Sequence, residues 1–352
     1  LRLKKNAVAH VSNFLRGQQI LIDMTKRRVG NLVVKDLKKR SKKGLELAKQ
    51  ILLEEKMEQP ELHDALMHYI ANWDEFTHPG LFSMAYEAVG GDPDEGLQAQ
   101  AAIIMFTAAF DIQDDILDES KEKHKIPTVY GKFGDEIALL LGNAFMIEGF
   151  KLFANSITTL PKEKQRNAIE LLQKLLFEVG NAHALELGLK GSKNITPNEY
   201  LKITRLKAAS LEADMYFGAL FGGAKEADLS VLARIGRILG VLATLRDDMI
   251  DVFDIEELRQ RIAVQDLPLP LIFAMNEQKV EKTAMELISK QKLTESAVAT
   301  LVDLTMESKP AAELKNSMRL LIDEGLDLSS KLSEAKLQSK IQALLKFMLE
   351  DL

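Results

Sequence analysis

Two stretches of this 352-residue chain carry acids in a pattern that could do chemistry. The first is Asp114-Asp115-Ile116-Leu117-Asp118, and the second is Asp247-Asp248-Met249-Ile250-Asp251. Both read Asp-Asp-x-x-Asp. In a helix, residues four apart share a face, so Asp114 pairs with Asp118 and Asp247 with Asp251. Apolar residues run up to each motif, which puts the acids at the end of an otherwise buried helix. Carboxylates crowded there repel one another and lose solvation. Mg²⁺ relieves both costs: it takes oxygen ligands and is commonly shared between one or two carboxylates and a substrate's phosphates. A solvated acidic face would explain either motif alone. Two of them on apolar helices predict a Mg²⁺ site around a diphosphate. Asp111 stands apart, one turn before Asp114. It is either a surface contact or an extra acid at the top of a pocket, able to stabilise a cation or accept a proton.

Helices must position these acids. The composition, with 20 Gly, 9 Pro and 46% hydrophobic residues, predicts helix throughout, and no alternating run reads as a strand. Spacing predicts helices over 2–24, 33–57, 60–72, 94–118, 133–157, 162–189, 197–222 and 228–251, then shorter ones broken at Pro268 and Pro270. No linker or composition shift marks a boundary. The expectation is one all-α domain over 1–352, an antiparallel helical bundle, with 1–30 as a peripheral basic N-terminal helix.

Other classes fall away. With no Cys in the chain, disulfides, thiolate metal sites and Cys nucleophiles are excluded, and a cytoplasmic setting is expected. No secretory pattern opens the chain, and no apolar run reaches the length of a membrane span; Ile137 to Ile147 comes nearest, interrupted by Gly142 and Asn143. The net charge of −6 hides an asymmetry: residues 1–50 hold 14 Lys and Arg against 3 Asp and Glu. The basic run from Lys35 to Lys43 is read as a solvated helix face, with peripheral contact to anionic lipid or guidance of a phosphorylated substrate as the alternatives. Without aromatic interleaving or a known module, nucleic acid is not an expected partner.

Taken in order, five segments resemble the trans-polyprenyl diphosphate synthases. They are Glu87 to Pro93, the first Asp motif, Pro127 to Gly134, Tyr200 to Leu211 and the second Asp motif. The resemblance implies the isoprenoid synthase fold and three Mg²⁺ ions. The six motif aspartates would be metal-binding and catalytic, with Lys207 beside them. The substrate is an allylic prenyl diphosphate. Its C–O bond ionises, isopentenyl diphosphate attacks the cation, and proton loss gives a longer prenyl diphosphate. The resemblance also implies a homodimer through long helices, with a heteromer as an alternative; the small-residue helix near 94–110 is compatible with such packing. Ala109 and Phe110, just before the first motif, take the family's chain-length positions.

The second-substrate half departs from the family pattern. Where the family has Gly-Lys-Arg-x-Arg-Pro, this chain has Asp74-Glu75-Phe76-Thr77-His78-Pro79. Thr107 replaces a His, Lys123-His124 stand for Arg-Arg, and Ala208 replaces the Thr after Lys207. Lys123, His124, His78, Arg246 and Asp111 are the substrate-binding candidates. His183, aligned near a family Gln, is read as a pocket-lining histidine. Two alternatives follow: an enzyme that ionises a prenyl diphosphate without isopentenyl diphosphate, or a regulatory subunit of a heteromeric synthase.

Overall fold

The computed structural model describes residues 32–123, 125–189, 196–264, 267–289 and 294–350. The expected helix over 2–24 lies outside them. Helix α1 spans residues 32–54. Then come α2 (Pro60–Asn72), α3 (Thr77–Ala88), a 3₁₀ turn (Pro93–Gly96) and α4 (Leu97–Leu117). The central helices are α5 (Val129–Ile157), α6 (Lys162–Leu189), α7 (Pro197–Lys207), α8 (Ala209–Phe221) and α9 (Glu226–Phe253). After them come α10 (Ile255–Val264), α11 (Leu269–Ala274), α12 (Gln278–Ile288), α13 (Glu295–Glu307), α14 (Lys309–Ser329) and α15 (Ala335–Phe347). The fold class is all-α, as composition and periodicity predict.

Helix α4 organises the core. Ala99, Ala101, Ala102, Ala108 and Ala109 are buried, and their small side chains let α5 lie close along α4. This stripe is therefore consumed inside the chain and is not free for a partner. Helices α8 and α9 pack on each other, and α3 packs on α8. Leu258, Ile262, Val280, Leu287 and Leu301 belong to a smaller apolar cluster among α10 to α13.

Local signals explain the boundaries. Thr196 caps α7 in a capping box with Glu199, and Pro197 sits at its first turn. The expected helix 197–222 is two helices meeting at Ala208. Between α4 and α5 a two-residue antiparallel ladder pairs Glu122 with Pro127 and Lys123 with Ile126, too short to leave an alternating pattern. Thr128 closes its base, donating to the Ser120 carbonyl (2.6 Å) and accepting from Gly131 N–H (2.9 Å). A Cβ on Gly131 would stand 1.9 Å from the Lys121 carbonyl oxygen. Gly134, at φ 84°, breaks α5 and turns the rest of it onto α4.

Helix α5 corrects one expectation: by length and composition alone it is apolar enough to cross a membrane. The sequence reading missed this because Gly142 and Asn143 do not break the helix. One side of it packs on α4 and α2.

Replacing Gly131 with Ala should cost about 2 kcal/mol of stability, because the new methyl meets backbone and not a yielding side chain. Urea unfolding would measure it, and an unchanged midpoint would show that the hairpin base is not fixed as described.

Candidate active site

A cavity of about 640 Å³ opens between α4, α6, α8 and α9, with α1 and α15 closing its sides. Asp114 and Asp247, one from each motif, both line it. One, two and three turns before Asp114 on α4 come Phe110, Phe106 and Ile103, all on the cavity wall. Leu172, Leu175 and Val179 of α6 complete an apolar lining. The arrangement is acids at one end and hydrocarbon surface below. Ala109 is fully buried and is not among the cavity-lining residues. One residue of helical rotation separates it from Phe110 and turns it toward α5, so of the two chain-length candidates only Phe110 faces the cavity.

The acids of each motif do not act as one group. Asp114 lies 3.7 Å from His183 Nε2, whose ring meets Phe110 edge-on at 5.7 Å. Burial holds the His183 imidazole below its ordinary pKa, so it stays neutral. Lys207 ends α7 and pairs with Glu186 at 2.6 Å. Burial disfavours the Lys207 charge, but Glu186, Asp114 and Asp118 outweigh it and raise its pKa. Asp115 is turned to the other side of α4 and is only 5% exposed. Lys123 Nζ stands 2.8 Å from Asp115 and 2.8 Å from Asp111. Burial lifts the Asp115 carboxyl to about 6, against the pull of Lys123.

The second motif repeats this plan. Asp247 faces the cavity, and burial with the neighbouring Asp251 charge pushes it up to about 6. Asp248 is buried; it accepts from Tyr200 Oη (3.0 Å) and from Arg261 (3.3 Å). Burial lifts it to about 6, with Arg261 opposing. Arg261, on α10, also reaches Asp251 at 2.5 Å. Arg246 lines the cavity, but its Nη1 donates to the Phe347 and Glu350 carbonyls, and its guanidinium lies over the Phe347 ring at 4.7 Å.

A metal would fit only as a shared ion. Among the described residues, no group of three or more His, Cys, Asp or Glu is gathered closely enough to hold one alone. The desolvated Asp247, lining the same cavity as Asp114, favours a hard cation whose remaining ligands come from a substrate.

The profile of the Polyprenyl synthetase family matches residues 59–305, more than half of the chain. The chain belongs to the polyprenyl synthetase family. It is similar to the geranylgeranyl diphosphate synthase of Sulfolobus acidocaldarius, at 24% identity over 286 residues, 81% of this chain and 84% of that one. Its fold is similar to geranylgeranyl pyrophosphate synthetase from Pyrococcus horikoshii Ot3, with a TM-score of 0.80, 22% identity and coverage of 91% and 98%. It is also similar to the polyprenyl synthase of Caulobacter crescentus CB15, solved with calcium and isoprenyl diphosphate, with a TM-score of 0.72, 18% identity and coverage of 93% and 96%.

In this polyprenyl synthetase family member, a second cavity of about 520 Å³ adjoins the first. Glu75, Phe76, His78, Thr107 and Asp111 line both. Glu75, which stands where the resemblance places a Lys, accepts from the Thr77 and His78 backbone N–H groups at 2.7 and 3.1 Å. Its carboxylate starts α3. Trp73 is buried against Tyr69 and Phe145 as a core anchor. His124 lies outside the described residues.

His78 donates from Nδ1 to Asp214 Oδ2 at 2.7 Å, and Asp214 is fully buried. Asp214 and Glu186 escaped the sequence reading. Asp214 lies inside a mostly apolar helix, and a charge among those apolar residues was the available signal. Glu186, one turn after His183, carried a similar one.

Burial opposes the His78 charge, but Asp214 overrides it and lifts the imidazole from 6.5 to about 9. The folded protein then binds a proton that the unfolded chain releases. His78 therefore contributes stability that is complete below pH 6.5 and lost as pH rises through about 9. Thermal unfolding from pH 6.5 to 9.5 should show a falling Tm, and His78→Gln should flatten that fall. An identical slope in the variant would remove His78 from the account.

Proposed function

We propose that this protein is a Mg²⁺-dependent prenyltransferase. It ionises an allylic prenyl diphosphate and condenses it with isopentenyl diphosphate to a longer prenyl diphosphate. The observation that carries the reading is that Asp114 and Asp247, from two motifs on two helices, line one cavity with an apolar floor. The named relatives support the substrate class.

Asp114 with Asp118, and Asp247 with Asp251, would hold the metal, with three ions as the resemblance implies. Bound Mg²⁺ supplies the positive charge that stabilises a departing diphosphate. The chain's own residues do the rest. Lys207 offers a fixed ammonium beside the first motif. The lining of Phe106, Phe110, Leu172 and Leu175 holds the hydrocarbon and keeps water from the allylic cation. The C–O bond breaks with its electrons leaving on diphosphate. The acceptor's double bond forms the new C–C bond, and an adjacent proton is lost.

A second reading, ionisation without isopentenyl diphosphate, is favoured by one observation. Lys123 is the only Lys or Arg among the described residues lining the second cavity, and two carboxylates hold it. With Mg²⁺ and an allylic diphosphate, growth by five carbons only when isopentenyl diphosphate is present supports the first reading. Alcohol or hydrocarbon formed without it supports the second.

We read the chain as one cytoplasmic unit that acts as a homodimer. Leu140, Ile147 and Phe150 of α5 and Phe177 of α6 are exposed, which gives an apolar face for a second copy to cover.

Asp114→Asn or Asp247→Asn should each lower pyrophosphate release by roughly 10³-fold. Turnover within tenfold of wild type in either variant would refute the metal-site assignment. Phe110→Ala should extend the product by at least one five-carbon unit, read by mass spectrometry. A product of unchanged length would show that the floor is set elsewhere.

A further inference from the structure

The second cavity meets the first at His78, Thr107 and Asp111. A nucleophile reaching the carbon that loses diphosphate has to come from an adjoining space, and this one is large enough. Its lining is acidic: Asp74, Glu75, Asp111 and Asp115. Against them stands Lys123, whose ammonium is 2.8 Å from Asp111 Oδ1 and 2.8 Å from Asp115 Oδ1. His78 adds no net charge, because Asp214 pairs with it.

An acceptor carrying a diphosphate needs a cation in this cavity. An ammonium has three N–H donors and one charge, and the two carboxylates occupy donors and offset that charge. The carboxylates differ in what they lose when Lys123 turns away. The Asp115 side chain is 6% exposed and cannot exchange the lysine for water. The Asp111 side chain is 47% exposed and can. Lys123 itself is 45% exposed on a flexible stem, so it can swing toward a ligand while staying near Asp115.

We propose that Asp111 sets the affinity of the second, diphosphate-bearing substrate by competing with it for the Lys123 ammonium. The inference rests on the chain-extension reading above. It makes Asp111 an attenuator: its carboxylate weakens acceptor binding, and its removal strengthens it.

The test is a calorimetric titration of isopentenyl diphosphate into the full chain without Mg²⁺. Wild type, Asp111→Asn, Lys123→Met and the double variant are compared, with Lys123→Arg as the charge-conserving control. Asp111→Asn should bind about tenfold more tightly than wild type, and Lys123→Met about tenfold more weakly. In the Lys123→Met background, the Asp111 change should alter Kd less than twofold, and Lys123→Arg should retain binding. No tightening in Asp111→Asn overturns the proposal. Equal tightening with and without Lys123 also overturns it, since Asp111 would then act only as a general negative charge. Absence of binding in every variant overturns it as well. Pyrophosphate release from the allylic substrate with Mg²⁺, assayed in parallel, reads the underlying function separately. Failure there refutes the chain-extension reading, whatever the titration gives.

Discussion

An α-helix turns about 100° per residue, so two adjacent aspartates leave it in different directions. The site depends on this constraint. In each Asp-Asp-x-x-Asp motif the first acid lines the main cavity, and the second is driven into the protein behind it. A buried carboxylate needs a partner. Lys123 supplies it for Asp115, from the short ladder that follows α4. Tyr200 and Arg261 supply it for Asp248, the latter from the helix that follows α9. Each acidic helix is thus completed by a segment that folds back on its own far side. The tight base around Gly131 matters for that reason: it positions the strand that carries Lys123.

The two cavities consequently have opposite electrostatic problems. In the first, Asp114 and Asp247 gather negative charge above an apolar floor, an arrangement that asks for added cations. Lys207 does not cancel it, because Glu186 already takes that ammonium at 2.6 Å. In the second, the cations of the chain are spent internally. Lys123 serves Asp115 and Asp111, and His78 serves Asp214. An anionic acceptor therefore has to displace a partner already in place, whereas an anionic donor arrives with its own counter-ions. That asymmetry follows from the ion pairs alone.

Much of this was legible in the sequence. The helix over 162–189 and the acidic helices follow from apolar spacing, and the ends of the acidic helices from the motif positions. The six aspartates were legible because two equal patterns on two apolar helices need a common cause. What stayed hidden was rotation and partnership. Spacing puts Ala109 and Phe110 beside the motif, but only the packing of α5 on α4 decides that Phe110 faces the cavity and Ala109 does not. Glu75 reads as a lost cation. Its capping of α3 is a backbone contact that residue type alone does not reveal. His78 and Asp214 are 136 positions apart, so no local pattern could join them.

That last pair also explains why the altered half of the site cannot be read as simple loss. A buried aspartate inside α8 would be costly on its own, and so would a charged histidine in the same wall. Removing either leaves the other unpaired, at about 3 kcal/mol or more. The two therefore stand or fall together, and Glu75, which caps the helix carrying His78, fixes where that histidine lies. The wall between the cavities is thus a connected unit of Glu75, His78 and Asp214. Returning an arginine at 78 alone would place a larger cation against Asp214 without restoring free charge to the second cavity. The acceptor side is altered as a set, and Lys123 is the only Lys or Arg among the described residues lining its cavity.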